Sequence, residues 1–379
     1  VQGIPFWASL PAKIDCMNSP IATRQRFWLV FLLFLHTVNT YMDRVCISAA
    51  KGSMQKDISG LDDQMMGYVF GIFAIGYALF QIPAGWFSDR AGPRRALTIV
   101  VIVWSIFTAL TGAVFTAISL LIVRFLFGAG EAGAYPGATR ALYSWLPAKE
   151  RGLGQGLFHS GARIGAALSL VVMPWVITAI GWRMTFVANA AIGLIWGAIW
   201  WFWYRDEPSE HARVNAAEVD LIRKGIAEEA AAESKVPYIQ VVTSLNVLLA
   251  MFQYAASNIT FFISITWLQP YLVETFGREY AYLASLPLLC GAIALWVSGY
   301  SVTFLHKRGM PVVSRRLPAM IGYTLGAIGL LLCTQTTETT SVWTFIACFS
   351  LATFGVEMTL ASSWAFCMDI GGSRSGAVS

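Results

Sequence analysis

FWLVFLLFLHTVNTYMDRVCISAA, residues 27 to 50, is apolar over a length that crosses a bilayer as a helix, yet it carries Asp43 and Arg44. A helix rises about 1.5 Å per residue, and the hydrocarbon core is about 30 Å thick. On insertion scales a carboxylate or guanidinium at the bilayer centre costs about 2.5 to 3.5 kcal/mol, so such groups persist where they face a polar interior and act there. Asp43 precedes Lys51, the first interfacial charge, by a distance that puts it about 12 Å inside the membrane edge. Adjacent residues point about 100° apart around a helix, so Asp43 and Arg44 cannot pair with each other and each needs a partner from another helix.

Composition sets the class. Of 379 residues, 56% are hydrophobic and 12% charged, against about 25% charged in a soluble domain. The reading is an all-α polytopic membrane protein. The formal charge of +5 is explained by basic residues held in cytoplasmic loops, and nucleic acid is not implied. Cys16, Cys46, Cys290, Cys333, Cys348 and Cys367 show no metal-ligand spacing, and five fall in apolar segments, which reads as packing. No nucleophile with a base, phosphate loop or metal cluster points to an enzyme, and no cofactor is expected.

Further apolar segments fall at about 64–84, 96–117, 119–143, 153–177 and 183–203, then at 244–274, 280–304, 317–334 and 341–367. The expected organisation is a disordered leader over 1–24, with Met17 as a natural start, a six-helix bundle over 25–203, a polar linker over 204–243 and a four-helix bundle over 244–379. Within the linker, 216–232 has helical composition. Of 26 basic residues, Arg44, Arg124, Arg140 and Arg163 lie in spans, and Lys51, Lys56, Arg183 and Arg278 lie on one side of the membrane. The remaining eighteen lie on the other, which places the amino terminus in the cytoplasm and the chain in the cell (inner) membrane.

Three stretches carry chemistry. GWFSDRAGPRR at 85–95 joins the second and third spans; Gly85 permits close helix approach, and Asp89 with Arg90, Arg94 and Arg95 forms a charge clamp made in one state and broken in another. Its second-half counterpart at 299–309, GYSVTFLHKRG, has Thr303 in place of the aspartate, so no second clamp of that kind is expected. In the fourth span Arg124 and Glu131 lie two turns apart on one face, glycines at 128, 130, 133 and 137 thin the helix, and Pro136 kinks it. Gly154, Gly161 and Gly165 thin the fifth span, while Arg140 and Arg163 can each reach the cytoplasmic side or the cavity, a structural role being the favoured reading for both.

With TyrMetAspArg at 41–44, the 85–95 loop, GlyGluAlaGlyAlaTyrPro at 130–136 and SerTrpLeuProAlaLysGluArg at 144–151, the chain resembles the anion:cation symporter family of the major facilitator superfamily. The resemblance implies a proton-coupled symporter of a small organic anion, a sugar acid or other carboxylate, working as a monomer by alternating access. It makes Asp43 and Glu131 the proton-coupling acids and sets Arg44 on the substrate carboxylate. Arg124 then pairs with Glu131 or the substrate, and Tyr41 and Tyr77 line the cavity. Ala162 stands where galactonate carriers have a glutamine, and Asn258 where vesicular glutamate carriers have an arginine. Trp267, Gln269 and Tyr271 in the seventh span, and Ser362, Ser363 and Trp364 in the tenth, suit a polyol acid; His159 reads as a packed polar residue. Since the family has twelve spans and ten are present, the resemblance also implies a chain truncated at its carboxy terminus. A uniporter or exchanger, and a non-transporting membrane sensor of the same fold, stay open as alternatives.

Overall fold

The computed structural model describes residues 21–230, 243–337 and 340–371. Residues 1–20, on which most of the leader expectation falls, the linker stretch 231–242 and the last residues of the chain lie outside them. The described residues are helical almost throughout. The first half holds α1 (Gln25–Asp57), α2 (Asp63–Ala91), α3 (Pro93–Gly112), α4 (Ala117–Glu131), α5 (Ala134–Trp145) and α6 (Ala148–Trp203). A linker helix, α7 (Ala216–Ala230), precedes the second half: α8 (Leu245–Thr266), α9 (Leu268–Thr275), α10 (Ser285–Lys307), α11 (Pro311–Thr334), α12 (Val342–Glu357) and α13 (Leu360–Gly371).

The expected spans correspond to these helices with informative differences. The fifth and sixth form the two arms of α6, which turn at Gly181 in the left-handed region (φ 77°), where a residue without a Cβ is unstrained. The fourth span is broken between Glu131 and Ala134. Pro136 explains the position, because its ring displaces the carbonyl four residues back, at Ala132. The tenth is broken between Glu357 and Leu360, and the Ser298 hydroxyl donates to the freed Met358 carbonyl.

Helix faces sort by size. α2 turns Ile75, Leu79, Phe80 and Ile82 outward, where the surrounding medium is apolar. Its inner face meets α4 so closely that a Cβ on Gly76 or Gly128 would strike the other helix's backbone. One buried apolar cluster runs across both halves, from Leu33, Trp104 and Phe127 to Phe261, Leu295 and Trp364.

At the end of the bundle carrying the 85–95 loop, called here the loop end, the halves are in direct contact. A Cβ on Gly156 would meet the Leu295 carbonyl, and one on Gly299 the backbone of Gly152 and Leu153. The Leu153 amide donates to Thr303 Oγ1 at 2.9 Å.

α7 is fastened to the start of α1. Arg24, preceding α1, offers no side-chain cap; Glu218 supplies it instead, accepting from the Gln25 amide (2.9 Å), the Arg26 amide (3.2 Å), the Arg26 guanidinium (3.0 Å) and Thr23 Oγ1 (2.6 Å). Glu150 holds the other edge of Arg26 at 2.6 and 3.1 Å. Burial pushes the Glu218 carboxyl up, but the hydrogen bonds from Thr23, Gln25 and Arg26 outweigh it and leave it below the ordinary glutamate value. A depressed carboxyl stabilises docking above the unfolded-state value and loses that contribution as pH falls through the folded one. Hydrogen-exchange protection of α7 should therefore fall about 10- to 100-fold as pH drops below about 4, and Glu218→Gln should show weak protection with little pH dependence. Protection in the variant equal to wild type at neutral pH would refute the capping role.

Candidate functional site

The buried charges of the first half meet between α1 and α4. Arg44 Nε lies 2.7 Å from Glu131 Oε1, with the Glu131 side chain 1% exposed and that of Arg44 14%. Three aromatic rings surround the guanidinium, Tyr77 at 4.6 Å, Tyr41 at 4.9 Å and Phe73 at 5.3 Å from their centroids. The partner of Glu131 is thus Arg44 rather than Arg124. Arg124 lies instead over Phe127 (4.6 Å) and Phe73 (5.0 Å), with Nε making no hydrogen bond among the described residues. Asp43 is buried, neither oxygen finds a hydrogen-bond partner among the described residues, and it senses the charges of Glu131 and Arg124. Asp43 thus lies within electrostatic reach of both Glu131 and Arg124 without a direct contact of the kind Glu131 makes with Arg44.

Tyr41 links this cluster to the second half. Its ring is 5.6 Å from Phe261 of α8, and Arg163 of α6 sits 4.0 Å over that same ring. Arg163, read from sequence as structural, makes a buried 2.7 Å pair with Glu357 at the end of α12, side chains 5% and 2% exposed. Tyr135, His159 and Tyr254 pack around Trp364 in tilted or edge-on contacts, with ring centroids 5.8, 4.7 and 5.8 Å from it. Ser363 donates to Gln253 at 2.8 Å, and Ser362 is turned back onto the Thr359 carbonyl.

Not every sequence candidate is brought here. Trp267 is 70% exposed at the α8–α9 junction and lines a shallow apolar groove with Ile263, Tyr271, Leu330 and Phe349. Gln269 is half-buried on α9, outside the cluster. Asn258 is spent on its own helix, donating to the Tyr254 carbonyl at 3.1 Å. Sequence reading passed over Glu357 and Tyr135; a lone acid within the apolar stretch 341–367 was the available signal for the first.

At the loop end the charges are distributed differently from the clamp expected of residues 85–95. Asp89 lies 3.6 Å from Arg140 of α5, so the base from the fourth span joins it. Arg94 instead binds the Trp201 carbonyl at 3.0 and 2.9 Å, and its amide donates to Asp206 at 2.9 Å. Asp206 thereby caps α3; burial raises its carboxyl, against the pull of Arg94. Arg90 lies over Trp86, Gly85 is buried on α2, and Arg95 is exposed. In the second half, where Thr303 replaces the expected aspartate, Asp369 at the end of α13 supplies the acid, held by Arg315 in a fork at 2.8 and 3.1 Å. Arg151 of the first half approaches the same carboxylate at 3.9 Å, so this pair also ties the two halves.

A family described as the Major Facilitator Superfamily matches residues 30–379. Among curated proteins, the chain is 32% identical over 366 residues to one named as a probable sulfoacetate transporter from Cupriavidus necator, covering 95% of this chain and 83% of that one. It is 34% identical over 367 residues to a probable galactarate/D-glucarate transporter from Bacillus subtilis, covering 92% and 79%. Among solved structures, the proton:xylose symporter XylE superposes with a TM-score of 0.74 over 93% of this chain and 85% of that one, at 14% identity, a likeness of fold.

Proposed function

This chain belongs to the Major Facilitator Superfamily, and from that premise we propose that it is a secondary active transporter that carries a small organic anion, a sugar acid or related carboxylate, together with protons. As a member of that superfamily it is an integral membrane transporter and not an enzyme. The names of its relatives, given for sulfoacetate, galactarate and glucarate, support an acidic cargo. The reading is completed by a monomer in the cell inner membrane with its amino terminus in the cytoplasm, in line with the asymmetry of loop charge.

The observation that carries the coupling is the 2.7 Å pair of Arg44 and Glu131. Glu131 and a substrate carboxylate compete for the single charge of Arg44, whose Nε Glu131 already holds. When the anion takes Arg44, Glu131 is left as a buried carboxylate without its partner, and taking a proton removes that penalty. Binding of anion and binding of proton therefore favour each other, and by linkage the effect is reciprocal. Asp43, within electrostatic reach of Glu131 and Arg124, supplies a second protonation step. In the cycle, the anion and protons enter from the side opposite the loop end while the loop end is closed; the halves rock, the loop-end contacts part, the protons leave, and the anion follows as Glu131 reclaims Arg44.

The test is uptake by the full-length protein in liposomes of galactonate, glucarate, glucuronate, an aromatic acid and glutamate, with Asp43→Asn and Arg44→Gln alongside. One acid should accumulate only under an inward proton gradient. Asp43→Asn should abolish that accumulation, and Arg44→Gln should weaken substrate affinity about 10- to 100-fold, the range for losing a charged hydrogen bond. Accumulation that ignores the gradient would favour a uniporter or exchanger, and binding without flux a sensor.

A further inference from the structure

The acids of the two buried acid–arginine pairs are placed alike in the two halves, while both arginines come from the first half. In each, an acid ends the first segment of a broken helix: Glu131 closes α4 before the break to α5, and Glu357 closes α12 before the break to α13. Each is held at 2.7 Å by an arginine from another helix, Arg44 or Arg163, and each keeps its second oxygen, Oε2, buried and without a hydrogen-bond partner among the described residues. Broken helices at mid-membrane are where transporters place their substrate contacts, because freed backbone is tolerated only beside a cavity or other protein. The second pair also crosses the interface between halves, and its stems pack on Gly291 of α10, where a Cβ would press on the Glu357 side chain. Arg163 Nε, likewise buried, makes no hydrogen bond among the described residues, so this guanidinium retains donor capacity that Glu357 does not use. A run of ring contacts through Tyr41 and Phe261 leads from the Arg44 guanidinium to that of Arg163.

We propose that Arg163 is a second anion subsite, exchanging Glu357 of the second half for an acidic group of the substrate, and that the transported molecule is a diacid bridging Arg44 of α1 and Arg163 of α6. The proposal rests on the reading that Arg44 holds a substrate carboxylate. A monoacid satisfies one arginine only; a diacid engages both and, by displacing Glu357 from Arg163, releases a contact across the interface that must rearrange during transport. Glu131 and Glu357 then act as resident stand-ins for the two acid groups, so that neither arginine is left uncompensated in the empty carrier.

The experiment compares affinities of the full-length protein in liposomes for matched pairs of acids on the same carbon chain: galactonate and galactarate, gluconate and glucarate. Wild type should bind the diacid of at least one pair about tenfold or more tighter. The double variant Arg163→Gln/Glu357→Gln leaves no uncompensated buried charge, and it should bind both members of that pair equally, with the monoacid affinity unchanged. Glu357→Gln alone frees Arg163 and should tighten the diacid selectively. Equal affinities in wild type, a diacid preference that survives the double variant, or an equal loss for both members would each overturn the inference. Arg44→Gln is the separate control: monoacid binding that survives it removes the underlying reading, whatever the pairs show.

Discussion

Glu131→Gln is expected to lower proton-driven accumulation at least about 100-fold while leaving substrate exchange within a few-fold of wild type. Glutamine resembles the protonated acid, so Arg44 is open to the anion at every pH and the loaded carrier forms readily. The empty carrier is what suffers. In the native chain it resets with Arg44 neutralised by Glu131 at 2.7 Å, side chains 14% and 1% exposed; in the variant that guanidinium is stranded, and breaking a buried pair costs about 3–5 kcal/mol. A barrier of that size on the return step slows net transport by two or more orders of magnitude, whereas exchange never passes through the empty state. Parallel assays of uphill uptake and of counterflow separate the two. Full uphill uptake by the variant would remove Glu131 from the coupling.

The second large effect is steric. Gly156→Leu should abolish transport to below about a hundredth of wild type, because a Cβ there meets the Leu295 carbonyl and the Gly299 backbone, and backbone cannot rotate out of the way as a side chain can. The two halves are held apart at the loop end, and any state that needs this end closed is lost. Gly299→Leu attacks the same contact from α10, against the backbone of Gly152 and Leu153, and should behave alike. Gly71→Ala, whose Cβ meets nothing within 4 Å, should leave uptake unchanged. Labelling of cysteines introduced at the loop end reports the conformation directly: in Gly156→Leu they should be accessible throughout, and protection equal to wild type would show that the contact is dispensable.

Much of this was legible without coordinates, for identifiable reasons. An apolar run interrupted by Asp43 and Arg44 has no stable place except facing a protein interior, so buried charge in the first span followed from residue types alone. The break in the fourth span followed from Pro136, a local steric effect. The tenth span carries no proline at its break, and there the interruption depends on Ser298 of another helix taking up a freed carbonyl. Trp267 and Gln269 looked like cavity residues because aromatic and amide groups near a proline suit a polyol, but the α8–α9 junction turns Trp267 outward.

What the amino-acid order determined by itself was the all-helical, membrane-spanning class of the fold, the loop-end motif and the presence of buried charge. These depend on hydrophobic length, on loop composition and on the three- to four-residue spacing of a helix, all of which act over short stretches of chain. Partner choice was a matter for the tertiary structure. Glu131 lies two turns from Arg124 on its own helix, yet it binds Arg44, 87 positions away; Arg163 finds Glu357 at a separation of 194; and Asp369 stands in for the acid missing at Thr303. A buried charge takes whichever opposite charge the packing brings within about 3 Å, because attraction in a low-dielectric interior falls steeply with exposure and misalignment. Which helices pack together is decided by the close approaches of Gly76, Gly128, Gly156 and Gly299, contacts that exist only once the helices have met.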